Sequence, residues 1–273
     1  MRGVVVKGLG GLFEVLTAEG RIVCRARGTL KRDEEKVLIG DRVELESPDG
    51  EFVVTKVEPR KNALIRPPIA NLDSLYCVIA AVRPAPALET LDKLLAIAEN
   101  KAIRSALVIT KTDDDPVSAD RYAELYRRVG YPVFLVSSVS GEGIDELRSD
   151  LSSRLASGGT AAFAGASGVG KSTLLNRLLP GVSLETGEIS RRVERGRHTT
   201  RHVELFPEGG DSSRTPPASR CWILPASISS RFPNFSTRSR SFPSIGESAA
   251  TPTAPTPGRD PTSAPSQGRS GTA

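Results

Sequence analysis

The chain has 273 residues, a formal net charge of +5 and 38% hydrophobic residues. This length suffices for two modest domains with their own cores, and the mildly basic balance is compatible with a nucleic-acid partner. We expect no signal peptide and no membrane-spanning segment, which favours a cytoplasmic protein. The cysteines Cys24, Cys77 and Cys221 lie far apart, so neither a disulfide framework nor a CxxC metal site is indicated.

Residues 1–66 are predicted to form a small all-β barrel of the OB-fold type. Short runs rich in β-branched residues alternate with turn signals at 18–20 and 48–50. A basic cluster falls within this region, and two interpretations of it stay open: a solvated barrel face, or a face that contacts RNA. The cluster consists of Arg21, Arg25, Arg27, Lys31 and Arg32.

Residues 67–209 alternate strand-like and helix-like segments, which predicts an α/β domain with a parallel sheet and helices on both faces. The segment "ETLDKLLAIAENKA" carries a helical apolar stripe of Leu91, Leu94, Leu95 and Ala98. The segment "SADRYAELYRRVG" predicts a helix that Ser118 caps and that ends at Gly130.

The segment "GASGVGKS", residues 165–172, matches the phosphate-binding pattern G-x-x-x-x-G-K-[ST] between an apolar strand and a helix. Glycines let backbone N–H groups turn towards phosphates, and the helix N-terminus adds partial positive charge. Lys171 is expected to reach the outer phosphates, and the Ser172 hydroxyl is placed to ligate Mg²⁺. The predicted nucleotide contacts of this loop are Gly165, Ala166, Ser167, Gly168, Val169, Gly170, Lys171, Ser172 and Thr173.

Two further segments resemble the base-recognition motifs of GTPases. "TKTD", residues 110–113, matches [NT]-K-x-D, in which the Asp113 carboxylate accepts hydrogen bonds from guanine N1–H and the 2-amino group. Thr110 belongs to this motif, and Lys111 is expected to lie along the base. "SSVSGEG" resembles the second guanine loop, in which the backbone at Ser137 and Ser138 meets the base oxygen. Each motif alone is weak, but the three together indicate a GTP/GDP site.

The order of these motifs is unusual. The base motifs precede the phosphate loop, whereas ordinary GTPases place the phosphate loop first, so we predict a circularly permuted GTPase domain. Downstream, "GRHTTRHVELF" resembles a switch I segment, in which Thr200 rather than Thr199 would ligate Mg²⁺ and sense the γ-phosphate. His198 is a catalytic candidate that would orient the attacking water. A positioning or RNA-contacting role for His198 stays open, and zinc binding with His202 is disfavoured because no third ligand is near.

These motifs together resemble the ribosome small subunit-dependent GTPase A family. "RGTL", "GDRVE", "PRKNALIRPPIANLD", "TKTD", "GASGVGKSTLLN" and "GRHTTRHVEL" match its pattern across residues 1–207. The resemblance implies an OB-fold barrel that contacts ribosomal RNA and a permuted GTPase domain that the small ribosomal subunit stimulates. It implies a monomer that uses GTP with Mg²⁺, without a membrane partner, in late subunit maturation. It also implies a zinc-binding helical extension.

Two features of this family are missing from residues 210–273. Asp211 is followed by Ser-Ser-Arg, so the D-x-x-G motif that supports Mg²⁺ and contacts the γ-phosphate is absent. The C-x4-C-x-H zinc motif is absent too, so no zinc ligands are assigned. This region holds ten of the twenty prolines, fourteen serines, seven arginines and no lysine, which predicts a disordered low-complexity tail.

We interpret the change in sequence character after residue 209 as a shift of the reading frame near residues 209–211. Back-translation in the alternative frame lets residues 214–219 encode Asp-Thr-Pro-Gly-Phe, and later junctions then permit Cys, Cys, His and Cys at zinc-site spacing. The rival interpretation is a genuine disordered tail. We therefore expect the chain as written to be impaired, with weak binding of guanine nucleotides, hydrolysis near background and an exposed sheet edge. The alternative role is a nucleotide-independent module that binds ribosomal RNA or the ribosome.

Overall fold

The computed structural model describes residues 1–27, 36–48, 50–65, 67–156, 159–179, 184, 205–207 and 222–227. The chain divides into two compact units, Met1–Phe232 and Pro233–Ala273, and every described residue belongs to the first unit. In this described part, no helix combines the length and apolar character that crossing a membrane requires.

The amino-terminal strands close into a five-stranded barrel in the order β1-β2-β3-β5-β4. All neighbours are antiparallel except β3 and β5, which pair in parallel. A closed five-stranded barrel of this kind confirms the predicted OB-like fold. The strands are β1 (Arg2–Leu9), β2 (Leu12–Thr17), β3 (Gly20–Ala26), β4 (Arg42–Glu46) and β5 (Val53–Val57).

Alternation along these strands separates the inside of the barrel from its outside. On β3, Cys24 is buried in the barrel core, whereas Val23 on the opposite face is 66% exposed. Side chains of successive strand residues point to opposite faces, so this alternation places residues 21, 23, 25 and 27 outside. The barrel core consists of Val5, Val15, Cys24, Val43, Leu45 and Val54.

The second domain contains a six-stranded sheet in the order β10-β9-β8-β11-β13-β12. All its pairings are parallel except that of β12 with β13. A separate two-stranded ladder, β6 (Ala63–Leu64) with β7 (Ile69–Ala70), lies in the connection from the barrel. The sheet strands are β8 (Ser74–Ala80), β9 (Arg104–Thr110), β10 (Val133–Val136), β11 (Thr160–Gly165), β12 (Phe206–Pro207) and β13 (Trp222–Ser227).

In the part of the chain that the structure describes, four helices cover the two faces of the sheet, which confirms the predicted α/β architecture. They are α1 (Leu88–Asn100), α2 (Pro116–Val129), α3 (Ile144–Leu155) and α4 (Lys171–Leu178). Helices α1 and α2 contribute to one hydrophobic core, and α3 and α4 contribute to the other. The predicted stripe of α1 is buried as expected, at Leu91, Leu94, Leu95 and Ala98.

The start of α2 differs from the sequence-based prediction. Asp115, not Ser118, is the capping residue, and its carboxylate accepts a hydrogen bond from the Ser118 N–H at 3.0 Å. Pro116 suits the first helical turn because its fixed φ is helical and it needs no N–H partner there. The accepted hydrogen bond lowers the pKa of Asp115. The predicted end at Gly130 is confirmed by its φ of +102°.

One part of the tail also differs from the prediction of a wholly disordered segment. Trp222–Ser227 forms β13, which pairs in parallel with β11 over six residues, from Thr160↔Trp222 to Gly165↔Ser227. The edge of β11 that we expected to be exposed is therefore covered. The free edge of β11 has backbone N–H and C=O groups that need hydrogen-bond partners, and an extended segment can supply them. The run Trp222-Ile223-Leu224 contains residue types that are common in strands.

A network of polar side chains joins the barrel to the sheet. The buried Asp41 carboxylate receives two hydrogen bonds from Arg60, from Nε at 2.7 Å and from Nη2 at 2.8 Å. At the amino end of β8, Asp73 accepts a hydrogen bond from the Thr160 N–H at 2.9 Å and forms an ion pair with Lys61. The segment between the barrel and β8 thereby holds the start of β11, the strand that leads to the phosphate loop.

Candidate nucleotide-binding site

The phosphate loop connects β11 to α4 through glycines that no other residue could replace without strain. Gly165 ends the strand, and a Cβ atom built there would lie 2.2 Å from the Val78 carbonyl oxygen. Gly168 and Gly170 have φ values of +82° and +94°, which L-amino acids rarely adopt. The glycines predicted from the motif are therefore required by the backbone of this loop.

The loop presents backbone groups at the start of α4. Gly170 is the helix N-cap and makes no side-chain capping bond, so the first N–H groups of the helix are not satisfied by a cap. Ala166, Ser167 and Gly168 are exposed, whereas Val169 is 2% exposed and packs into the core beneath the loop. This combination of open amides and a helix N-terminus is suited to an anion.

Lys171 lies folded against the same loop. Its Nζ donates to the carbonyl oxygens of Gly165 at 3.0 Å and Ala166 at 2.6 Å, and the residue is only 8% exposed. The ammonium group is thus held at the centre of the loop that would surround phosphates. Ser172 is half-buried and Thr173 is exposed in the first turn of α4.

The base-recognition motif is fastened to the phosphate loop by two side chains. The Thr110 Oγ1 atom lies 2.5 Å from the Val169 carbonyl oxygen and 3.0 Å from that of Ile79. Lys111, with a φ of +58°, donates from Nζ to the carbonyl oxygens of Arg83 at 2.5 Å and Gly168 at 3.0 Å. Two motifs that are far apart in the sequence therefore form one continuous site.

The rest of the base motif is open to a ligand. Asp113 is exposed at the carboxyl end of β9, where its carboxylate can accept hydrogen bonds. Within the described part of the chain, the buried Thr112 Oγ1 atom has no hydrogen-bond partner. Buried polar atoms without partners are uncommon in folded proteins, and this one lies within the motif that would meet the base.

The second guanine loop is held in shape by Ser137. Its Oγ accepts hydrogen bonds from the N–H groups of Val139 at 3.2 Å and Ser140 at 3.1 Å, and its own N–H donates to the Glu142 carbonyl oxygen. Ser137 thereby shapes the turn, while the half-buried Ser138 follows it at the strand end. Contact of either residue with a base stays a prediction.

The donor set fits Mg²⁺ with a nucleotide better than it fits a protein-bound metal. Ser172 offers a hydroxyl oxygen at the loop, which is a hard ligand of the type that Mg²⁺ takes alongside phosphate oxygens. Residues 1–27, 36–48, 50–65, 67–156 and the shorter described segments contain no group of three or more metal-ligating side chains. The cysteine and histidine motif that would bind zinc in this family is absent from the sequence.

The basic cluster on the barrel is only partly free of ion pairs. Arg21 donates to Glu14 at 2.6 Å, and Arg27 lies 3.7 Å from Glu46. Arg25 and Val23 are exposed on the same outward face of β3. Lys31 and Arg32 lie outside the described residues, as do His198, Thr199 and Thr200 of the predicted switch segment.

The sequence analysis did not predict the network of polar side chains that joins the barrel to the sheet, which includes Asp41, Arg60 and Asp73. The strings "GDRVE" and "PRKNALIRPPIANLD" contain these residues, but a contact between distant segments has no local signal in one sequence. Thr110 is predicted only as part of a base motif, and in the structure its hydroxyl also lies within hydrogen-bond distance of β8 and of the phosphate loop.

Comparisons with known proteins identify the family to which the chain belongs. A family described as "RsgA GTPase" matches residues 57–216, and "RsgA N-terminal domain" matches residues 2–52. The chain is 43% identical over 220 residues to the small ribosomal subunit biogenesis GTPase RsgA of Carboxydothermus hydrogenoformans, covering 79% of this chain and 74% of that protein. It is 43% identical over 227 residues to the protein of that name from Moorella thermoacetica, covering 81% and 75%.

Solved structures show the same architecture. The crystal structure of YjeQ from Thermotoga maritima has a TM-score of 0.59 and 31% identity, covering 83% of this chain and 73% of that one. YloQ, described as a circularly permuted GTPase, has a TM-score of 0.55 and 30% identity, covering 82% and 71%. The prediction of a permuted GTPase fold behind an OB-like barrel is confirmed, and the chain belongs to the RsgA GTPase family.

Proposed function

We propose that this chain binds GTP and GDP with Mg²⁺ and is a GTPase of small ribosomal subunit biogenesis, acting in the cytoplasm as a monomer. One observation carries the proposal: Thr110 and Lys111 of the guanine motif bond directly to the phosphate-loop backbone. A guanine-selective motif and a phosphate loop therefore share one site. The named role of the curated relatives supports the choice of the ribosomal subunit as partner.

Each site residue has a role in this proposal. The loop amides and Lys171 hold the β- and γ-phosphates, and Asp113 accepts the guanine N1–H and 2-amino hydrogens. Ser172 and Thr200 would hold Mg²⁺, which supplies charge neutralisation on the phosphate oxygens. His198 would orient the attacking water, with an RNA-contacting role as its alternative.

Guanine selectivity is tested by competition and by one substitution. We expect GDP, but not ADP, to displace a fluorescent guanine nucleotide from the chain. In Asp113→Asn the side-chain amide can donate to a carbonyl, so affinity should fall for GDP and rise for xanthosine diphosphate, which has an oxygen in place of the 2-amino group. Asp114→Asn is the matched control because Asp114 is also exposed but lies outside the motif. Equal displacement by ADP would overturn the guanine assignment.

The second part of the proposal concerns hydrolysis, and it rests on the residues that stand beside the phosphate loop. The strand beside the phosphate loop is β13, and the residue paired with Gly165 is Ser227, not an acidic residue. The D-x-x-G motif is absent after residue 210, so we infer that this chain hydrolyses GTP near background and that its reading frame is shifted. Resequencing codons 200–220 tests the frame: a single inserted or deleted base should restore Asp-Thr-Pro-Gly-Phe. An unchanged sequence from a fresh isolate would identify a real lesion or tail.

The barrel supports an alternative in which the chain binds ribosomal RNA without using GTP. The outward face of β3 presents Arg21, Arg25 and Arg27 with the exposed Val23, a mixture suited to phosphates and base surfaces. Co-sedimentation with small subunits distinguishes the roles. Binding that needs no nucleotide and survives Lys171→Ala favours the module, whereas binding that requires a GTP analogue and is lost in Lys171→Ala favours the GTPase.

A further inference from the structure

The segment that follows β8 lies against the phosphate loop. The Arg83 carbonyl oxygen accepts a hydrogen bond from Lys111 Nζ at 2.5 Å, and the same ammonium group donates to the Gly168 carbonyl oxygen at 3.0 Å. A Cβ atom built on Gly168 would lie 3.7 Å from Pro84 Cδ. Pro84 also lines a cavity together with Ala166 of the loop. The backbone at residues 83 and 84 therefore forms one side of the loop that would surround phosphates.

Arg83 is exposed, and its side chain has hydrogen-bond donors that the fold does not use. Within the described part of the chain, its guanidinium group takes part in no hydrogen bond and no ion pair. Asp113 and Asp114 are exposed beyond the end of β9, the strand next to β8, but Arg83 pairs with neither carboxylate. A guanidinium group has five N–H donors and is always protonated in proteins. A positive charge is thus available beside the phosphate loop.

The chemistry of Arg83 matches the anion that a phosphate loop binds. The planar fork of a guanidinium group can donate to two phosphate oxygens at once, and each of these hydrogen bonds is strengthened by charge. The two lysines at the loop, Lys111 and Lys171, both donate to backbone carbonyl oxygens and so help to hold the loop in shape. In the described part of the chain, the donors of the Arg83 guanidinium have no such task. They can all serve a ligand.

We propose that Arg83 is a phosphate-binding residue whose guanidinium group contacts the phosphate chain of the bound nucleotide beside Gly168. The main chain of Arg83 is fixed by its contact with Lys111, so the side chain extends from a defined point next to the loop. The inference rests on the proposed guanine-nucleotide function. It deepens that function by adding a contact from the segment between β8 and α1, to which the sequence analysis assigns no GTPase motif.

The first test measures GDP binding with Mg²⁺ by calorimetry in the full chain, at several salt concentrations. Arg83→Ala should weaken GDP binding roughly five- to twentyfold, because it removes charge-assisted hydrogen bonds at an exposed position. Arg83→Lys should recover part of the loss, since it restores the charge without the planar fork. The affinity of Arg83→Ala should also depend less steeply on salt than that of the parent chain. A GDP affinity of Arg83→Ala equal to that of the parent chain would overturn the contact.

Arg128→Ala is the matched control for the loss of one positive charge. Arg128 is exposed near the carboxyl end of α2, and its substitution should leave the GDP affinity at the parent value. The urea midpoint of Arg83→Ala should also equal that of the parent chain, because the carbonyl group that binds Lys111 is retained. A loss of GDP affinity in Arg128→Ala as large as that in Arg83→Ala would show an effect of net charge alone and overturn the contact.

Guanosine identifies the part of the ligand that Arg83 contacts, because it carries the base and the sugar without phosphates. Its affinity is measured by displacement of a fluorescent guanine nucleotide and corrected for the affinity of that nucleotide in each variant. Arg83→Ala and the parent chain should bind guanosine equally well. Equal losses for guanosine and GDP would overturn the proposal, since Arg83 would then act on the base, the sugar or the shape of the site.

Pyrophosphate separates this inference from the proposed function, because it carries phosphates without a base. Arg83→Ala should weaken the binding of pyrophosphate by a factor similar to that for GDP. If the parent chain binds pyrophosphate without preferring guanine to adenine nucleotides, the guanine function fails, and the pyrophosphate affinity of Arg83→Ala still decides the phosphate contact. If the parent chain binds neither pyrophosphate nor GDP, both the function and the contact are overturned.

Discussion

The two sides of the sheet, before and after β11 in the strand order, differ in whether their strands carry GTPase motifs. The ends of β9, β10 and β11 that face the candidate site each lead into a motif, and Thr110 and Lys111 bond to the phosphate loop. Beyond β11, the adjacent strand β13 comes from the segment 222–227, where no GTPase motif is present. The half that would bind the nucleotide is complete, and the half that would support hydrolysis is not.

This difference predicts that nucleotide binding and nucleotide hydrolysis can be lost separately in this chain. Binding needs the phosphate loop and the base motifs, which follow β9, β10 and β11. Hydrolysis needs groups that respond to the γ-phosphate, and these follow the phosphate loop in the sequence. A change after residue 210 therefore removes part of the second set and leaves the first set intact.

Restoring the missing half should produce the largest effect. In a chain whose frame is corrected near residue 210, Asp-Thr-Pro-Gly returns next to the phosphate loop. We expect GTP hydrolysis with small ribosomal subunits to rise at least about 100-fold over the chain as written, the usual scale for recovering a transition-state contact. The measurement is phosphate release with and without subunits. Equal rates for the two chains would show that the present tail already supports hydrolysis.

Damaging the complete half should weaken nucleotide binding and leave the fold intact. Lys171→Ala removes the cation at the phosphate loop, and hydrogen bonds to charged groups are worth about 1.5–3 kcal/mol, or about 10- to 150-fold in affinity. GDP titration by calorimetry measures the loss. Lys93→Ala is the matched control, since Lys93 is exposed on α1 and pairs only locally with Glu89. Similar losses in both variants would contradict a specific role for Lys171.

Substitution of two threonines of the base motif tests the contact between that motif and the phosphate loop. Thr110→Val removes the hydroxyl that lies between β8 and the phosphate loop, so the Val169 carbonyl oxygen loses its hydrogen bond from this side chain. We expect a loss of about 1–3 kcal/mol in the free energy of unfolding by urea, without nucleotide. Thr112→Val should cost much less, because the Thr112 hydroxyl has no partner within the described part of the chain. Equal costs would mean that the Thr110 bridge contributes nothing.

The smallest effect concerns the barrel, which lies outside both halves. Burial raises the pKa of Cys24 from 9.0 to about 11. The unfolded chain therefore loses this proton first, so stability is fully retained below pH 9 and decreases as pH rises towards 11. Urea midpoints at pH 8 and pH 10 should differ more for the parent chain than for Cys24→Ala. An identical pH dependence would show that the Cys24 thiol is open to solvent.

Several features could be predicted because their signals are local. The glycines of the phosphate loop, the apolar stripe of α1 and the alternation of β3 depend on residues that are near each other in the chain. The prediction of Ser118 as the cap of α2 is wrong because Asp115 is an equally good capping type and the helix begins earlier, at Pro116. The ion pair of Asp41 with Arg60 could not be predicted from the sequence. The two residues are far apart in the chain, and the Asp41 side chain becomes buried only when the barrel and the connecting segment pack together.

The sequence alone determined the kind of site and the order of its parts. Backbone geometry admits few residues at a phosphate loop, and the position of "TKTD" before that loop identifies the permutation. Only the tertiary structure decided that Thr110 and Lys111 hold the loop and that Trp222–Ser227 takes the place beside β11. These are contacts between segments far apart in the chain, and each depends on hydrogen-bond partners that the folding of the whole sheet brings together.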